Sequence, residues 1–76
     1  MEISMTGTEP ITVTLNGKER RVPHGLTVTG LLEELGLNPG LVVVERNREI
    51  LERARYAEIR LEAGDVLELV HFVGGG

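Results

Sequence analysis

Cysteine and tryptophan are absent from this chain of 76 residues, and its aromatic side chains are limited to Tyr56 and Phe72. Without cysteine there is no disulfide scaffold, no thiolate zinc site and no thiol nucleophile, which suits a reducing compartment. With only two histidines and no dense carboxylate loop, no metal site is predicted. The net charge of −4 and the scarcity of rings argue against nucleic-acid binding, which needs a basic surface and stacking platforms.

Long hydrophobic runs are also missing, since no apolar stretch exceeds the four residues of 41–44. A membrane span needs about 20 apolar residues, so neither a membrane segment nor a signal peptide is predicted. We therefore expect a soluble, cytoplasmic protein without a membrane partner. The length fits one small domain, whose modest core cannot enclose a large active site.

The first half of the chain alternates clear strand and helix signals. Residues 11–15 alternate apolar and polar, which predicts a half-buried strand, and Asn16-Gly17 favours a type I′ turn into a second strand that ends at Pro23. Thr27 is a predicted N-cap, and Gly36 marks the helix end. Between them the apolar residues follow helical spacing: Val28, Leu31, Leu32 and Leu35.

The second half is predicted to complete a sheet. Residues 41–44 form a continuous apolar run, typical of a central strand buried on much of both faces. The remaining predicted elements are a turn at 47–48, a short strand near Ile50, one or two turns of α- or 3₁₀-helix within 51–57, a turn at 63–65 and a last strand at 66–73.

This order predicts an α+β fold of the β-grasp (ubiquitin-like) type. Its mixed sheet of four to five strands has one main helix across one face, and the first and last strands pair in parallel at the sheet centre. Three segments are expected: a disordered leader at 1–10, the domain at 11–73 and a flexible glycine tail at 74–76.

The tail carries the predicted function. Glycine has no Cβ, so Gly74, Gly75 and Gly76 can thread a narrow tunnel and present the terminal carboxylate to another protein; the alternative is an inert frayed end. If Leu67 and Leu69 face the helix, the alternating residues stand on the open sheet face near the tail, where Val70 and Phe72 would form a docking patch. A register slip of one residue would instead place Phe72 in the core.

Several phrases, in order, carry a family resemblance: VPHGLTV at 22–28, LLEELGL at 31–37, VVVERN at 42–47, Gly64-Asp65 before the last strand, and the ending FVGGG. Together they resemble the ThiS family, the sulfur carriers of thiamine thiazole synthesis, and the resemblance covers residues 11–76. The small subunit of molybdopterin synthase shares the fold and the Gly-Gly end but usually has prolines before the glycines, where this chain has Phe72-Val73.

The resemblance implies that a ThiF-like enzyme uses Mg-ATP to adenylate the carboxylate of Gly76. A persulfide protein or sulfide then forms a thiocarboxylate, whose sulfur passes to thiazole synthase. The chain itself is then no enzyme, supplies no catalytic residue and binds no cofactor or metal. The alternatives are sulfur delivery for molybdopterin or tRNA thiolation, and a β-grasp interaction module whose tail is never activated.

Some residues depart from the family or have no assigned role. The family often has Asn-Gly where this chain has Asn47-Arg48, and because arginine is uncommon at positive φ, a different turn type is expected here. His24 stands where an acidic residue is common, and His71 is interpreted as a solvated or packed side chain. The arginines at 46, 48, 53, 55 and 60 are expected to be solvated and paired with Glu45, Glu49, Glu52 and Glu58.

Overall fold

The computed structural model describes residues 9–72. Most of the predicted leader 1–10 and all of the predicted tail 74–76 lie outside that range. The α-helix and strands within it are β1 Ile11–Leu15, β2 Lys18–Val22, α1 Val28–Glu34, β3 Val42–Arg46, β4 Glu49–Ile50 and β5 Val66–His71. Two 3₁₀ turns connect them, at Pro39–Leu41 and Arg53–Arg55.

The five strands form one mixed sheet in the order β2-β1-β5-β3-β4. β1 and β5 pair in parallel, whereas β1–β2, β3–β5 and β3–β4 are antiparallel. The helix α1 packs its apolar stripe on one face of this sheet. The predicted fold class, with the first and last strands adjacent and parallel, is confirmed.

The β1–β2 hairpin follows the prediction closely. Asn16 and Gly17 both have positive φ, at 48° and 85°, as a type I′ turn requires. Val13 is buried, and Ile11 and Leu15 pack against the core from the same face of β1. The alternation of the sequence therefore sets the face of the first strand.

The helix begins at the predicted cap, because the Thr27 hydroxyl accepts a hydrogen bond from the Gly30 amide at 3.0 Å. Gly30 lies inside the helix, where glycine is unfavourable by about 1 kcal/mol relative to alanine, and the structure shows why no side chain stands there. A Cβ at this position would lie 2.7 Å from the Leu26 Cδ1 atom. Gly30 thus makes room for the loop side chain that precedes the helix.

Two expectations about β3 and its turn are wrong. Val42 and Val44 are fully buried but Val43 is only half-buried, because α1 covers one face of the sheet and leaves the other open. Both central residues of the turn after β3 also have positive φ, with 50° at Asn47 and 73° at Arg48, so the expected change of turn type is not observed. Hydrogen bonds from Asn47 to the start of β5 hold this turn and offset the cost of an arginine at positive φ.

The core lies between α1 and the sheet and consists of ten buried side chains. They are Val13, Val22, Val28, Leu31, Leu32, Val42, Val44, Tyr56, Leu61 and Leu67. Five of them come from strands, three come from α1, and Tyr56 and Leu61 come from the segment between β4 and β5. Within the described residues, the opposite sheet face contributes nothing to this core.

Candidate functional site

The last strand, β5, carries the residues predicted to dock a partner. Leu67 is fully buried beneath the helix, whereas Val70 and Phe72 are 55% and 53% exposed. The pairing of Val43 with Val70 fixes the register and places both valines on the open sheet face. Phe72 is therefore a surface residue, and its role in docking stays a prediction.

Two asparagine side chains hold β5 on its two sides. The Asn47 Oδ1 atom accepts a hydrogen bond from the Val66 amide at 2.9 Å, where the strand begins. The Asn16 Oδ1 atom accepts from the Leu69 amide at 2.8 Å, one residue beyond the end of β1. Each asparagine is the first of two turn residues with positive φ. Asparagine therefore both tolerates the backbone conformation of the turn and adds a side-chain hydrogen bond to β5.

A buried carboxylate ties the start of β5 to the β3–β4 turn. Asp65 is 5% exposed and accepts hydrogen bonds from Arg46 Nε at 2.9 Å, Asn47 Nδ2 at 3.1 Å and the Glu62 amide at 2.8 Å. Its two oxygens are thus well satisfied, as a buried charge requires.

This arrangement corrects one expectation about the arginines. Arg46 was expected to pair with a nearby glutamate of the set 45, 49, 52 and 58, but it pairs with Asp65 and, at 3.8 Å, with Glu62. Arg55 does pair with Glu58, at 3.2 Å. The Arg46 partner lies 19 residues along the chain, so local sequence spacing could not identify it.

Tyr56 is a structural residue that the sequence reasoning missed. Its hydroxyl donates to the Val42 carbonyl at 2.9 Å and accepts from the Val44 amide at 3.1 Å. β4 pairs only with the last two residues of β3, so Tyr56 supplies hydrogen bonds along the uncovered part of that edge. The available signal was a lone tyrosine in an otherwise polar stretch, which indicates burial but not the partners.

The open sheet face contains a groove that extends from the β3–β4 turn toward the end of β5. We call it the open-face groove, and its lining residues are Val43, Glu45, Arg48, Ile50, Val66, Glu68 and Val70. Ile50 is 71% exposed and Val66 46% exposed, so the apolar surface is larger than the predicted pair Val70 and Phe72. Exposed apolar side chains grouped on one face of a small domain are typical of a protein–protein contact.

The end of β5 is the last described point before the tail. The Phe72 amide donates to the Leu41 carbonyl at 2.8 Å. The predicted tail residues Gly74, Gly75 and Gly76 lie outside the described residues. His71 is exposed opposite Val42, and His24 is exposed in the loop before α1.

Within residues 9–72, no group of three or more histidine, aspartate or glutamate side chains has the geometry to hold a metal ion. In the same range, no helix is long and apolar enough to cross a membrane.

A mixed sheet with a parallel central pair, one helix on one face and an exposed apolar opposite face defines a ubiquitin-like β-grasp domain. The family model of the ThiS family matches residues 13–76. The chain therefore belongs to the ThiS family.

Individual relatives agree with this assignment. The chain is 46% identical over 63 residues to the sulfur carrier protein ThiS of Bacillus subtilis, covering 82% of this chain and 96% of that one. The crystal structure of the thiamine biosynthesis protein ThiS from Geobacter metallireducens matches with a TM-score of 0.74 at 38% identity, covering 87% of this chain and all of that one.

A third relative is much longer. The chain is 47% identical over 62 residues to a thiazole synthase of Paramagnetospirillum magneticum, covering 82% of this chain. The chain spans only 19% of the length of that synthase, and likewise 19% of a second one from Magnetococcus marinus.

Proposed function

We propose that this chain is a sulfur carrier of thiamine biosynthesis that works through the carboxylate of Gly76. The observation that supports the proposal most directly is the match to the ThiS family over residues 13–76, which includes the glycine ending. The named function of the Bacillus relative, a sulfur carrier, supports it further.

The chemistry starts from the poor reactivity of a carboxylate, whose negative charge repels nucleophiles. A carboxylate oxygen of Gly76 attacks the α-phosphorus of ATP on a ThiF-like enzyme, which forms an acyl-adenylate and releases pyrophosphate. Sulfide or a sulfur-donor protein then attacks the carbonyl carbon, and AMP leaves. With sulfide the product is the thiocarboxylate, whose sulfur is nucleophilic. The carrier supplies no acid, base or metal to these steps.

The domain holds the start of the tail in place and limits how far Gly76 can extend from it. β5 is held by Asn47 at its start, by Asn16 near its middle and by the Leu41 carbonyl at Phe72. Gly76 lies four residues beyond Phe72, and a fully extended chain spans at most about 3.6 Å per residue, or about 14 Å over that distance. An enzyme that modifies Gly76 must therefore contact the domain near Phe72. Tethering also gives the sulfur a high local concentration in the acceptor's site.

Thiazole synthase is the proposed acceptor. Two relatives bear that name, and a 62-residue match within each indicates that a carrier-like segment can belong to the synthase chain itself. On this proposal, the domain described here delivers its sulfur to a thiazole synthase.

The test is intact-mass measurement after incubation with Mg-ATP, sulfide and the activating enzyme encoded by the same genome. We expect a mass increase of one oxygen-to-sulfur exchange. Deleting Gly76, or adding residues after it, should abolish this increase and leave the thermal midpoint unchanged. Sulfur loading of a chain with a blocked C-terminus would contradict the proposal.

A further inference from the structure

Asn16-Gly17, the turn between β1 and β2, is also a chemically reactive dipeptide. The backbone nitrogen that follows an asparagine can attack the side-chain carbonyl carbon, and glycine hinders this attack least because it has no side chain. The chain contains three asparagines, and only Asn16 is followed by glycine. The asparagines at 38 and 47 are followed by proline, whose nitrogen carries no hydrogen, and by arginine, whose side chain crowds the nitrogen.

The turn presents both reacting groups to water. Asn16 and Gly17 are exposed. Among the described residues, no heavy atom apart from the chain neighbours lies within 4 Å of the position that a Cβ of Gly17 would take. Neither burial nor crowding therefore protects this site, and its reactivity depends on the conformation of the backbone and of the Asn16 side chain.

The backbone of the turn keeps the reacting atoms apart. The φ values of 48° at Asn16 and 85° at Gly17 are those of a type I′ turn, in which ψ of the first turn residue is about 30°. At this ψ the Asn16 Cβ and the Gly17 nitrogen are nearly trans about the Asn16 Cα–C bond, whereas a five-membered ring needs them nearly eclipsed. The ring therefore forms only after ψ of Asn16 rotates, and this rotation separates Leu15 from Lys18 across the hairpin.

The Asn16 side chain is fixed as well. Its Oδ1 atom accepts a hydrogen bond from the Leu69 amide at 2.8 Å, and the Asn16 amide donates to the Leu67 carbonyl at 2.9 Å. The bond to Oδ1 polarises the side-chain carbonyl and would favour attack, but polarisation has no effect while the Gly17 nitrogen is out of reach. Ring closure therefore requires the Leu69 bond to break and the hairpin to open, a local event that costs free energy.

We propose that Asn16 is a modification site, at which the chain converts spontaneously to isoaspartate when the hairpin opens from β5. The Gly17 nitrogen bonds to the Asn16 Cγ atom, the bond from Cγ to the side-chain nitrogen breaks, and that nitrogen leaves as ammonia with the proton of the Gly17 amide. Water then opens the cyclic imide. Attack of water at Cγ gives aspartate, and attack at the Asn16 backbone carbonyl gives isoaspartate, whose backbone runs through Cβ and Cγ. Water is the only other reactant.

Isoaspartate at this position loosens the part of β5 that leads to the tail. The paired residues of β1 and β5 end at Leu15 and Leu67, and the side-chain bond of Asn16 extends the contact to Leu69. The extra methylene lengthens the two-residue turn and moves the side-chain oxygen away from the Leu69 amide, so that β5 beyond Leu67 is held by β3. The inference does not depend on the proposed function, because it concerns the hold on β5 and not the chemistry of the tail.

The test follows each asparagine in the full chain, folded in buffer and unfolded in guanidinium chloride at the same pH and temperature. Peptide mapping by mass spectrometry measures the conversion of amide to acid, and an isoaspartyl methyltransferase with a labelled methyl donor counts the isoaspartate. We expect Asn16 to convert fastest in the unfolded chain and at least about tenfold more slowly in the folded chain. Equal rates at Asn16 in the two states, or equal rates for Asn16 and Asn47 in the unfolded chain, would overturn the inference.

A first matched variant, Arg48→Gly, tests the protection in a second turn. Asn47 and Arg48 also have positive φ, and the Asn47 Oδ1 atom accepts a hydrogen bond from the Val66 amide at 2.9 Å. In this variant Asn47 should convert as fast as Asn16 when the chain is unfolded, and slowly when it is folded. Fast conversion of Asn47 in the folded variant would show that such a turn does not protect its asparagine and would overturn the inference.

A second matched variant, Asn16→Asp, tests the effect on β5. It has the charge and composition of the isoaspartyl chain but a normal backbone, and its carboxylate can accept the hydrogen bond from the Leu69 amide. In hydrogen exchange followed by NMR, the Leu69 amide of the isoaspartyl chain should exchange at least about tenfold faster than that of this variant. Equal protection of the Leu69 amide in the two chains would show that isoaspartate leaves β5 in place, and would overturn the inference.

Discussion

Changing Tyr56→Phe tests how the part of β3 that does not pair with β4 is stabilised. Tyr56 is 2% exposed, and its ring belongs to the core, which phenylalanine preserves. The change removes only the hydroxyl that bonds the Val42 carbonyl at 2.9 Å and the Val44 amide at 3.1 Å. Both of those residues are fully buried, so water cannot replace the oxygen without opening the core.

The magnitude follows from these two bonds. A hydrogen bond contributes about 0.5–1.5 kcal/mol net, and a buried group left unpaired costs about 1–3 kcal/mol. With both partners fully buried, we expect a loss of about 2–3 kcal/mol in the free energy of unfolding. For a domain of this size, each kcal/mol shifts the thermal midpoint by about 4–8 °C, so a drop of about 10–20 °C is expected.

The assay is urea unfolding followed by circular dichroism, with a thermal melt beside it. The midpoint should fall while the slope stays constant, because the surface exposed on unfolding is unchanged. Arg55→Gln is the control, since it removes an exposed ion pair with Glu58 and should change the free energy of unfolding by less than about 0.5 kcal/mol. If Tyr56→Phe were as mild as this control, the hydroxyl would not be supplying the missing hydrogen bonds of β3.

Three further predictions concern the tail, the docking patch and the buried carboxylate. Gly75→Val introduces a stiff β-branched side chain, so adenylation, measured by pyrophosphate release, should be lost while the thermal midpoint stays unchanged. Adenylation at the native rate would contradict the idea that the tail threads a narrow channel. Phe72→Ala should weaken the binding free energy for the activating enzyme, measured by calorimetry, by about 2 kcal/mol. It should lower the free energy of unfolding by less than about 1 kcal/mol, because Phe72 is 53% exposed. The reverse pattern would make Phe72 a core residue. Asp65→Asn should lower the free energy of unfolding by about 2–3 kcal/mol, since Arg46 loses its buried charged partner. Glu62→Gln should hardly change it, because the exposed Glu62 lies 3.8 Å from Arg46. Equal effects of the two changes would show that the Asp65 charge is unimportant.

The sequence predicts the fold where its signals are local. Alternation fixes the buried face of β1, the Asn16-Gly17 pair gives its turn, and Thr27 gives the start of α1. These inferences succeed because each depends on a period or a turn within a few residues. Alternation alone left Phe72 open between the sheet surface and the core, and its 53% exposure was decided by the structure.

The errors arise where distant residues meet. The run 41–44 suggested burial on both faces, but within residues 9–72 the core lies on one face of this sheet, so Val43 lines the open-face groove on the other. Arg48 adopts positive φ, which arginine rarely does, because the Asn47 side chain accepts a hydrogen bond from the Val66 amide, 19 residues away in the sequence, and holds the turn. Tyr56 and Asp65 each join segments that no short pattern connects.

The sequence by itself thus determined the order of elements, the buried face of β1, the β-grasp class and the glycine ending that suggests a carrier. Periodicity, turn chemistry and composition are sufficient for these because they act along the chain. Only the tertiary structure decided that Glu45 stands opposite Glu68, that Asp65 holds Arg46, and that one sheet face is left open. Those facts depend on strand register and on which surface the helix covers, and both are set by packing between residues far apart in the chain.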